Sequence, residues 1–303
     1  MSFDILILGS SSATPSYQRH PSAQILKISE RFFLIDCGEG TQIQLERYHV
    51  KYHKLNHIFI SHLHGDHYLG LMGLLSTMHL QGRTRALHLF APKELKEIVD
   101  IQLLHSMTVL RYELIFHSIE GTGYDLIYED DEMTIHSLPL SHRIFCNGFV
   151  FREKPGKRKI IKEKIEEFQI PVSAFKDLKD GKDYKTPDGK IIRSDELTLK
   201  ARQPRSYAYC SDTIYDEGLL KYISGIDMLY HESTFLHEMI DRANETFHST
   251  ALQAAQLAEK AGVKKLLLGH FSARYKELAP LLEEARTVFK ESYLGEEGVT
   301  FSI

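Results

Sequence analysis

Ser61-His62-Leu63-His64-Gly65-Asp66-His67 is the stretch on which the reading of this chain turns. It sets three imidazoles and a carboxylate within six residues, directly after the apolar run His57–Ile60, which has the length and character of a buried strand. Such groups are costly to crowd together unless something binds them, because unliganded they repel one another or titrate with no gain. Imidazole nitrogen and carboxylate oxygen are both suitable zinc donors. Alternation along an extended segment puts His62 and His64 on one side. The turn at Gly65 can then aim Asp66 and His67 at a second point nearby, so the spacing points to two cations.

Four local donors do not complete two coordination shells, and the remaining ones are sought at other strand ends. His142 follows Leu138-Pro139-Leu140-Ser141, Asp212 follows Ala208-Tyr209-Cys210-Ser211, and His270 follows Leu266-Leu267-Leu268-Gly269. A single His in such a place is ordinarily a surface or capping residue. The pattern of an apolar strand followed by His or Asp occurs four times, on the loops where layered α/β proteins carry function.

Strand and helix patterns interleave along the rest of the chain. Strands are expected at Ile5–Leu8, Phe32–Ile35, Leu87–Ala91, Tyr112–Ile119, Tyr124–Glu129, Met133–Leu138, Asn147–Phe151, Tyr207–Cys210, Met228–Tyr230 and Lys264–Leu268. Helices are expected at Gly40–Tyr48, Leu69–Leu80, Lys93–Leu104, Glu217–Tyr222, Ser249–Ala261 and Leu278–Phe289. Interleaving across both halves suggests a layered α/β sandwich. Between them, Arg152–Lys164 holds seven basic residues against two acidic ones, on a chain whose net charge is −4. Polar sequence continues to about residue 200, with Asp-Gly turn signals at 180–181 and 188–189. We expect one domain over 1–303 with an inserted arm at about 152–200.

Bulk composition bounds the class. At 43% hydrophobic and 26% charged residues, the chain reads as an ordinary globular protein of 303 residues. Its negative balance rules out an overall basic sheath, so nucleic-acid contact must come from a local patch. Three cysteines, Cys37, Cys146 and Cys210, form no close pair, which disfavours a disulfide framework and suits a reducing cytoplasmic setting. The apolar N-terminal run is too short for a signal peptide and lacks a basic segment before it. No run of about 18 apolar residues occurs, so no membrane span is expected.

With these residues in view, the chain resembles the ribonuclease Z family of the metallo-β-lactamase superfamily. HxHxDH marks only the superfamily, which also contains lactonases, thioesterases and small phosphodiesterases. More specific are Asp36-Cys37-Gly38-Glu39-Gly40-Thr41-Gln42, Ser211-Asp212-Thr213, His231-Glu232-Ser233-Thr234, His248-Ser249-Thr250 and Gly269-His270-Phe271-Ser272-Ala273-Arg274-Tyr275. The resemblance runs from near residue 3 to about 290. It implies an αββα four-layer sandwich with an inserted flexible basic arm, a homodimer, and a zinc-dependent endoribonuclease that removes the 3′ trailer of precursor tRNA. It also implies two zinc ions, one held by His62, His64 and His142, the other by Asp66, His67 and His270, with Asp212 bridging. Two departures stand out. Pro15-Ser16-Tyr17-Gln18-Arg19-His20 keeps only the Pro and Arg of the family's PxKxRN loop, and Ile170-Pro171-Val172-Ser173-Ala174-Phe175 lacks the arm's Gly-Pro.

Within that resemblance the roles divide as follows. Asp66 orients or deprotonates the attacking water, His248 is the general acid, and Glu232 sets the tautomer of His248. Read from its neighbours alone, His248 could equally sit at a helix N-terminus, since Ser249-Thr250 and an Ala/Leu-rich segment follow it. Arg274 could grip a phosphate through its fork of donors. Lys157, Arg158 and Lys159 of the arm are expected to meet the RNA backbone, although a charge run is most often a solvated face.

Overall fold

In the computed structural model, which describes residues 2–303, the first half builds one sheet. Its strands are β1 (Phe3–Gly9), β2 (Ala23–Ile28), β3 (Arg31–Ile35), β4 (Leu55–Phe59), β5 (Leu87–Pro92) and β6 (Leu114–Ile119). Helices α1 (Thr41–Arg47), α2 (Gly65–Tyr68), α3 (Leu71–Leu80) and α4 (Glu94–His105) lie between them in the chain. β1, β2 and β3 pair antiparallel, whereas β3 to β6 are parallel. Parallel neighbours need crossovers, which α1, α3 and α4 supply. The apolar faces of those helices bury Leu34, Ile58 and Leu89 with Leu71, Leu75 and Val99 in one core layer.

The second sheet begins with β7 (Asp125–Glu129), β8 (Met133–Pro139) and β9 (Asn147–Glu153). The chain then makes the short strands β10 (Lys159–Ile160), β11 (Tyr184–Lys185), β12 (Ile191–Ile192) and β13 (Thr198–Leu199), with helices α5 (Lys162–Glu167), α6 (Phe175–Lys179) and α7 (Ser194–Leu197). It returns through β14 (Ser206–Cys210), α8 (Leu220–Ile223), β15 (Met228–Glu232), α9 (Ile240–Thr246), α10 (Ala251–Ala261), β16 (Lys265–Gly269), α11 (Ala279–Arg286), β17 (Ser292–Leu294) and β18 (Thr300–Ser302). The sheet orders are β18-β1-β2-β3-β4-β5-β6 and β17-β16-β15-β14-β9-β8-β7.

Aromatic side chains join the two sheets. Phe59 meets Phe149 and Phe151 at ring separations of 5.5 and 5.6 Å, and Phe33 meets Phe151 at 5.9 Å. The outer face of the second sheet is covered by α10 and α11, whose Ala251, Ala254, Ala255, Ala258 and Leu281 pack on Leu138, Val150, Ala208 and Leu266. Alanines let the α10 backbone come close to the sheet. A Thr250–Gln253 capping box starts α10, and Gly262, in the left-handed region at φ 61°, ends it. Helix, sheet, sheet and helix are thus the four layers expected of the metallo-β-lactamase fold.

Two compact units are distinguishable. One comprises residues up to Tyr128, Ile135–Phe151 and Ser206–Ile303; the other comprises Glu129–Thr134 and Arg152–Arg205. The second has a small core of Ile170, Leu178, Ile192 and Leu197. Glu153 accepts hydrogen bonds from the backbone and guanidinium of Arg205 within it. The two Asp-Gly signals are realised as turns with Gly181 at φ 86° and Gly189 at φ 90°. The hydropathy pattern carries no clear signal for β2. Gln24 interrupts it, and this amide is buried because it accepts a hydrogen bond from the Tyr207 hydroxyl of the facing sheet. Among the described residues no helix is long and apolar enough to cross a membrane. The three cysteines are buried and unpaired.

One contact fixes the site-bearing turn. Cys37 N–H donates to the His67 carbonyl at 2.7 Å, and Gly70 N–H donates to the Cys37 carbonyl at 2.9 Å. A Cβ on Gly70 would lie 2.0 Å from the Gly38 carbonyl oxygen. Gly70→Ala must therefore push the two loops apart, and we expect about 2–3 kcal/mol of destabilisation. Urea unfolding checks this; a midpoint equal to that of the parent would show that the loops separate freely.

Candidate metal centre

The side chains expected to converge do so, at the ends of strands. His62, His64, Asp66 and His67 lie on the segment after β4 and into α2, His142 lies after β8, Asp212 after β14, and His270 immediately after β16. Asp212 and His270 adopt left-handed backbone conformations, at φ 55° and 57°, as does Asp36 after β3 at φ 56°. Each such conformation costs about 1 kcal/mol or more for a residue with a Cβ. The cost is localised where it turns a side chain inward from a strand end.

Two donor sets share Asp212. In the first, His62 Nε2 and His142 Nε2 lie 3.0 and 3.1 Å from His64 Nδ1, and His62 Nε2 lies 3.2 Å from Asp212 Oδ2. In the second, Asp66 Oδ2 is 3.5 Å from His67 Nε2 and 3.4 Å from His270 Nε2. Asp212 Oδ1 is 2.9 Å from His270 Nε2 and Asp212 Oδ2 is 3.4 Å from His67 Nε2. Ligands of one tetrahedral zinc, each ~2.0–2.1 Å from it, would stand ~3.3 Å apart, so the spacing suits a small cation in each set.

The outer ring nitrogens settle the tautomers. His67 Nδ1 faces Asp36 Oδ2 at 2.7 Å and His142 Nδ1 faces the Phe247 carbonyl at 3.0 Å; both partners can only accept, so both Nδ1 atoms carry hydrogen. Ser61 gives its hydroxyl proton to Asp36 and so accepts from His62 Nδ1 at 3.0 Å. Thr234 gives its own to Glu232 Oε2 at 2.5 Å and accepts from His270 Nδ1 at 3.0 Å. Four Nε2 atoms are thereby turned inward, and those of His67 and His270 are buried with no hydrogen-bond partner. Orphaned inward nitrogens opposite two carboxylates are what a cation-binding site requires.

The protein's own charges act on the two donor sets differently. Burial holds His62, His64 and His142 below the usual imidazole range, His142 at about 4. Burial also opposes charge on His67 and His270, but the neighbouring carboxylates outweigh it, taking His270 up to about 10 and His67 well above its ordinary value. Asp66 and Asp212 are held below the carboxylate range against their burial, Asp66 first by His67 and Asp212 first by His270.

Beside these donors stand Glu232 and His248. Glu232 is fully buried and accepts from Thr213 N–H at 2.7 Å, Ser249 N–H at 3.0 Å, the Thr234 hydroxyl and His248 Nδ1 at 2.9 Å. His248 precedes the N-cap of α10, so its place by a helix start and its pairing with Glu232 are one arrangement. Burial would lower His248, but the Glu232 charge and hydrogen bond raise it. The His248 ring lies 5.4 Å from that of His142 and 5.3 Å from that of His270. An open cleft of about 340 Å³ is lined by His64, Asp66, His142, Asp212 and His270 together with His248.

Other expected residues lie elsewhere. Arg274 is exposed after β16, with its guanidinium 4.9 Å over the Phe235 ring and Nε on the Ser272 hydroxyl at 3.1 Å. Lys157, Arg158 and Lys159 belong to the second unit. There Arg158 is engaged by Asp195 and by the Thr198 hydroxyl, whereas Lys157, 3.5 Å from Asp180, and Lys159 are exposed. Asp36 has no assigned role in the sequence reading. It nonetheless accepts from Ser61 N–H at 2.8 Å, the Ser61 hydroxyl at 2.9 Å, His67 Nδ1 and the Tyr209 hydroxyl at 2.7 Å. Its position directly after the apolar run Phe32–Ile35 repeats the pattern that singled out the other donors.

Comparison with known proteins gives this arrangement relatives. Residues 3–120 match the family model described as Anti-Pycsar protein Apyc1. A Ribonuclease Z of Bacteroides fragilis is 45% identical, with 99% of both chains covered. One of Cytophaga hutchinsonii is 49% identical, covering 100% of this chain and 97% of the relative. Among solved structures, human tRNase Z, short form, is 26% identical with a TM-score of 0.72, covering 99% of both chains. The metallo-β-lactamase fold protein YhfI of Bacillus subtilis shares the fold at 18% identity, TM-score 0.70 and full coverage of both.

Asn at position 36 would set an amide N–H₂ against at least one of the four donors that Asp36 accepts. Asp36→Asn is expected to weaken cation binding about 10–100-fold. Competition with a chromophoric chelator measures it; affinity equal to the parent would mean that the His67 tautomer is set by something else.

Proposed function

This chain belongs to the ribonuclease Z family of metal-dependent endoribonucleases, and from that premise we propose how its side chains remove the 3′ trailer of precursor tRNA. We assign two zinc ions, one to His62, His64 and His142, the other to Asp66, His67 and His270, with Asp212 shared. The observation that carries this reading is the set of pinned imidazoles whose Nε2 atoms converge on two carboxylates beside the His248–Glu232 pair. When bound, the cations would supply positive charge to the phosphate oxygens and make water a nucleophile at neutral pH.

The chain's own groups do the rest. Asp66 Oδ2, steadied by the Ala13 N–H at 2.7 Å, orients the attacking water and takes its proton. His248, whose Nδ1–H is committed to Glu232, presents Nε2 to the cleft and protonates the departing 3′ oxygen. Glu232 holds the imidazolium form, because four donors keep its carboxylate in place. Arg274 offers the outer edge of its guanidinium to a phosphate. Lys157 and Lys159 meet the tRNA backbone, with Arg158 fixing the segment between them through Asp195. We further assign a homodimer, for which the exposed Leu104, Met107 and Val109 at the end of α4 offer apolar surface, and a cytoplasmic location.

Removing the acid should cost rate, not metal. His248→Ala is expected to lower kcat on a defined precursor tRNA about 10²–10⁴-fold with zinc content unchanged by mass spectrometry. An undiminished kcat would remove His248 from the chemistry. Changing Lys157 and Lys159 together to Glu is expected to raise KM about tenfold at low salt and to flatten the salt dependence. The cut position, mapped at nucleotide resolution, should stay where it is. An unchanged salt slope would place the phosphate contacts elsewhere.

A further inference from the structure

The cleft over the metal centre is lined by three carboxylates, Glu39, Asp66 and Asp212, yet its substrate is a polyanion. Among the described residues that line it, Arg143 alone brings a permanent positive charge. We propose that Arg143 is a substrate-positioning residue that grips the phosphate one nucleotide to the 5′ side of the cut. This rests on the endonuclease reading and deepens it.

The case begins with the backbone. Arg143 sits in the turn from β8 to β9, which Leu140 N–H closes onto the Cys146 carbonyl at 3.0 Å. The two residues before it are tied down. Ser141 N–H donates to the Thr213 hydroxyl at 3.2 Å, the Ser141 hydroxyl donates to Asp216 at 3.1 Å, and His142 Nδ1 donates to the Phe247 carbonyl. The side chain, by contrast, is exposed and has no hydrogen-bond or ion-pair partner among the described residues. Arg274 and Arg158 spend donors on Ser272, Asp195 and Thr198, whereas all five N–H groups of Arg143 remain available. A rigid root with an unspent planar fork is suited to bidentate capture of a phosphate.

The flank follows from its neighbour. The His142 ring lies 4.9 Å from that of His64 and 5.4 Å from that of His248. His248 faces the leaving 3′ oxygen, which belongs to the nucleotide on the 5′ side of the scissile phosphate. Arg143, next in the chain after His142, therefore borders the mature tRNA end, not the trailer.

A neutral methylphosphonate placed at that single phosphate of a synthetic precursor tests the assignment, with bis-p-nitrophenyl phosphate as a substrate that has no neighbouring phosphate. The substitution should raise KM for the wild-type enzyme about tenfold or more. Arg143→Gln should raise KM on the all-phosphate precursor by a similar factor and be indifferent to the methylphosphonate. Arg143→Lys should restore part of the loss, since it keeps the charge without the fork. Turnover of bis-p-nitrophenyl phosphate should be the same in all three enzymes. The assignment is overturned if Arg143→Gln remains as sensitive to the methylphosphonate as wild type, or if it slows the small diester equally. A wild-type enzyme that hydrolyses the small diester but cuts no precursor would overturn the endonuclease reading itself.

Discussion

Four imidazoles that have each committed one nitrogen as a donor have nowhere to turn the other except toward one another and two carboxylates. Everything else in the site serves that confrontation. Asp36, Ser61, Thr234 and the Phe247 carbonyl come from separate elements, and each makes one hydrogen bond that rotates an imidazole into place. Neutral ring nitrogens of His62, His64 and His142 set about 3 Å apart in a buried pocket are unfavourable on their own. Folding alone therefore leaves a concentrated, oriented electron-rich cavity, and cation binding returns the free energy that this arrangement withholds.

The two-sheet architecture makes the convergence affordable. Strands β4, β14 and β16 present His62, Asp212 and His270 within three residues of their ends, so short loops are enough to reach a common point. The left-handed conformations of Asp36, Asp212 and His270 are confined to those ends, while the Phe33, Phe59, Phe149 and Phe151 cluster holds the sheets beneath them. Strain at the site is thus borne by a core made of unstrained, well-packed aromatic side chains.

Much of this was legible beforehand, and the reasons differ by residue. The His62–His67 run announced itself because no apolar packing explains it. His142, Asp212 and His270 were visible because each follows a continuous apolar strand. Asp36 carried the same mark but only one carboxylate, and its worth lies in four hydrogen bonds from distant segments, which no local pattern records. β2 was hidden by Gln24, whose burial depends on a tyrosine some 180 positions away. The core of the second unit was hidden because its four apolar residues are spread thinly through charged sequence. Charge counting alone could not show that Arg158 is occupied by Asp195 and Lys157 paired with Asp180 while Lys159 faces solvent.

The Thr234 hydroxyl has a single hydrogen. Its closeness to the Glu232 carboxylate dictates where that hydrogen points, and so leaves only a lone pair for His270. The acid-bearing half of the cleft and the cation-bearing half are consequently wired through one proton. Neutralising Glu232 would leave that hydrogen to the His270 carbonyl, 3.0 Å away, and so change the bonds that steady the His270 ring. Substitutions at the two ends of this relay cannot be independent, so a lineage altering one would have to renegotiate the other through Thr234.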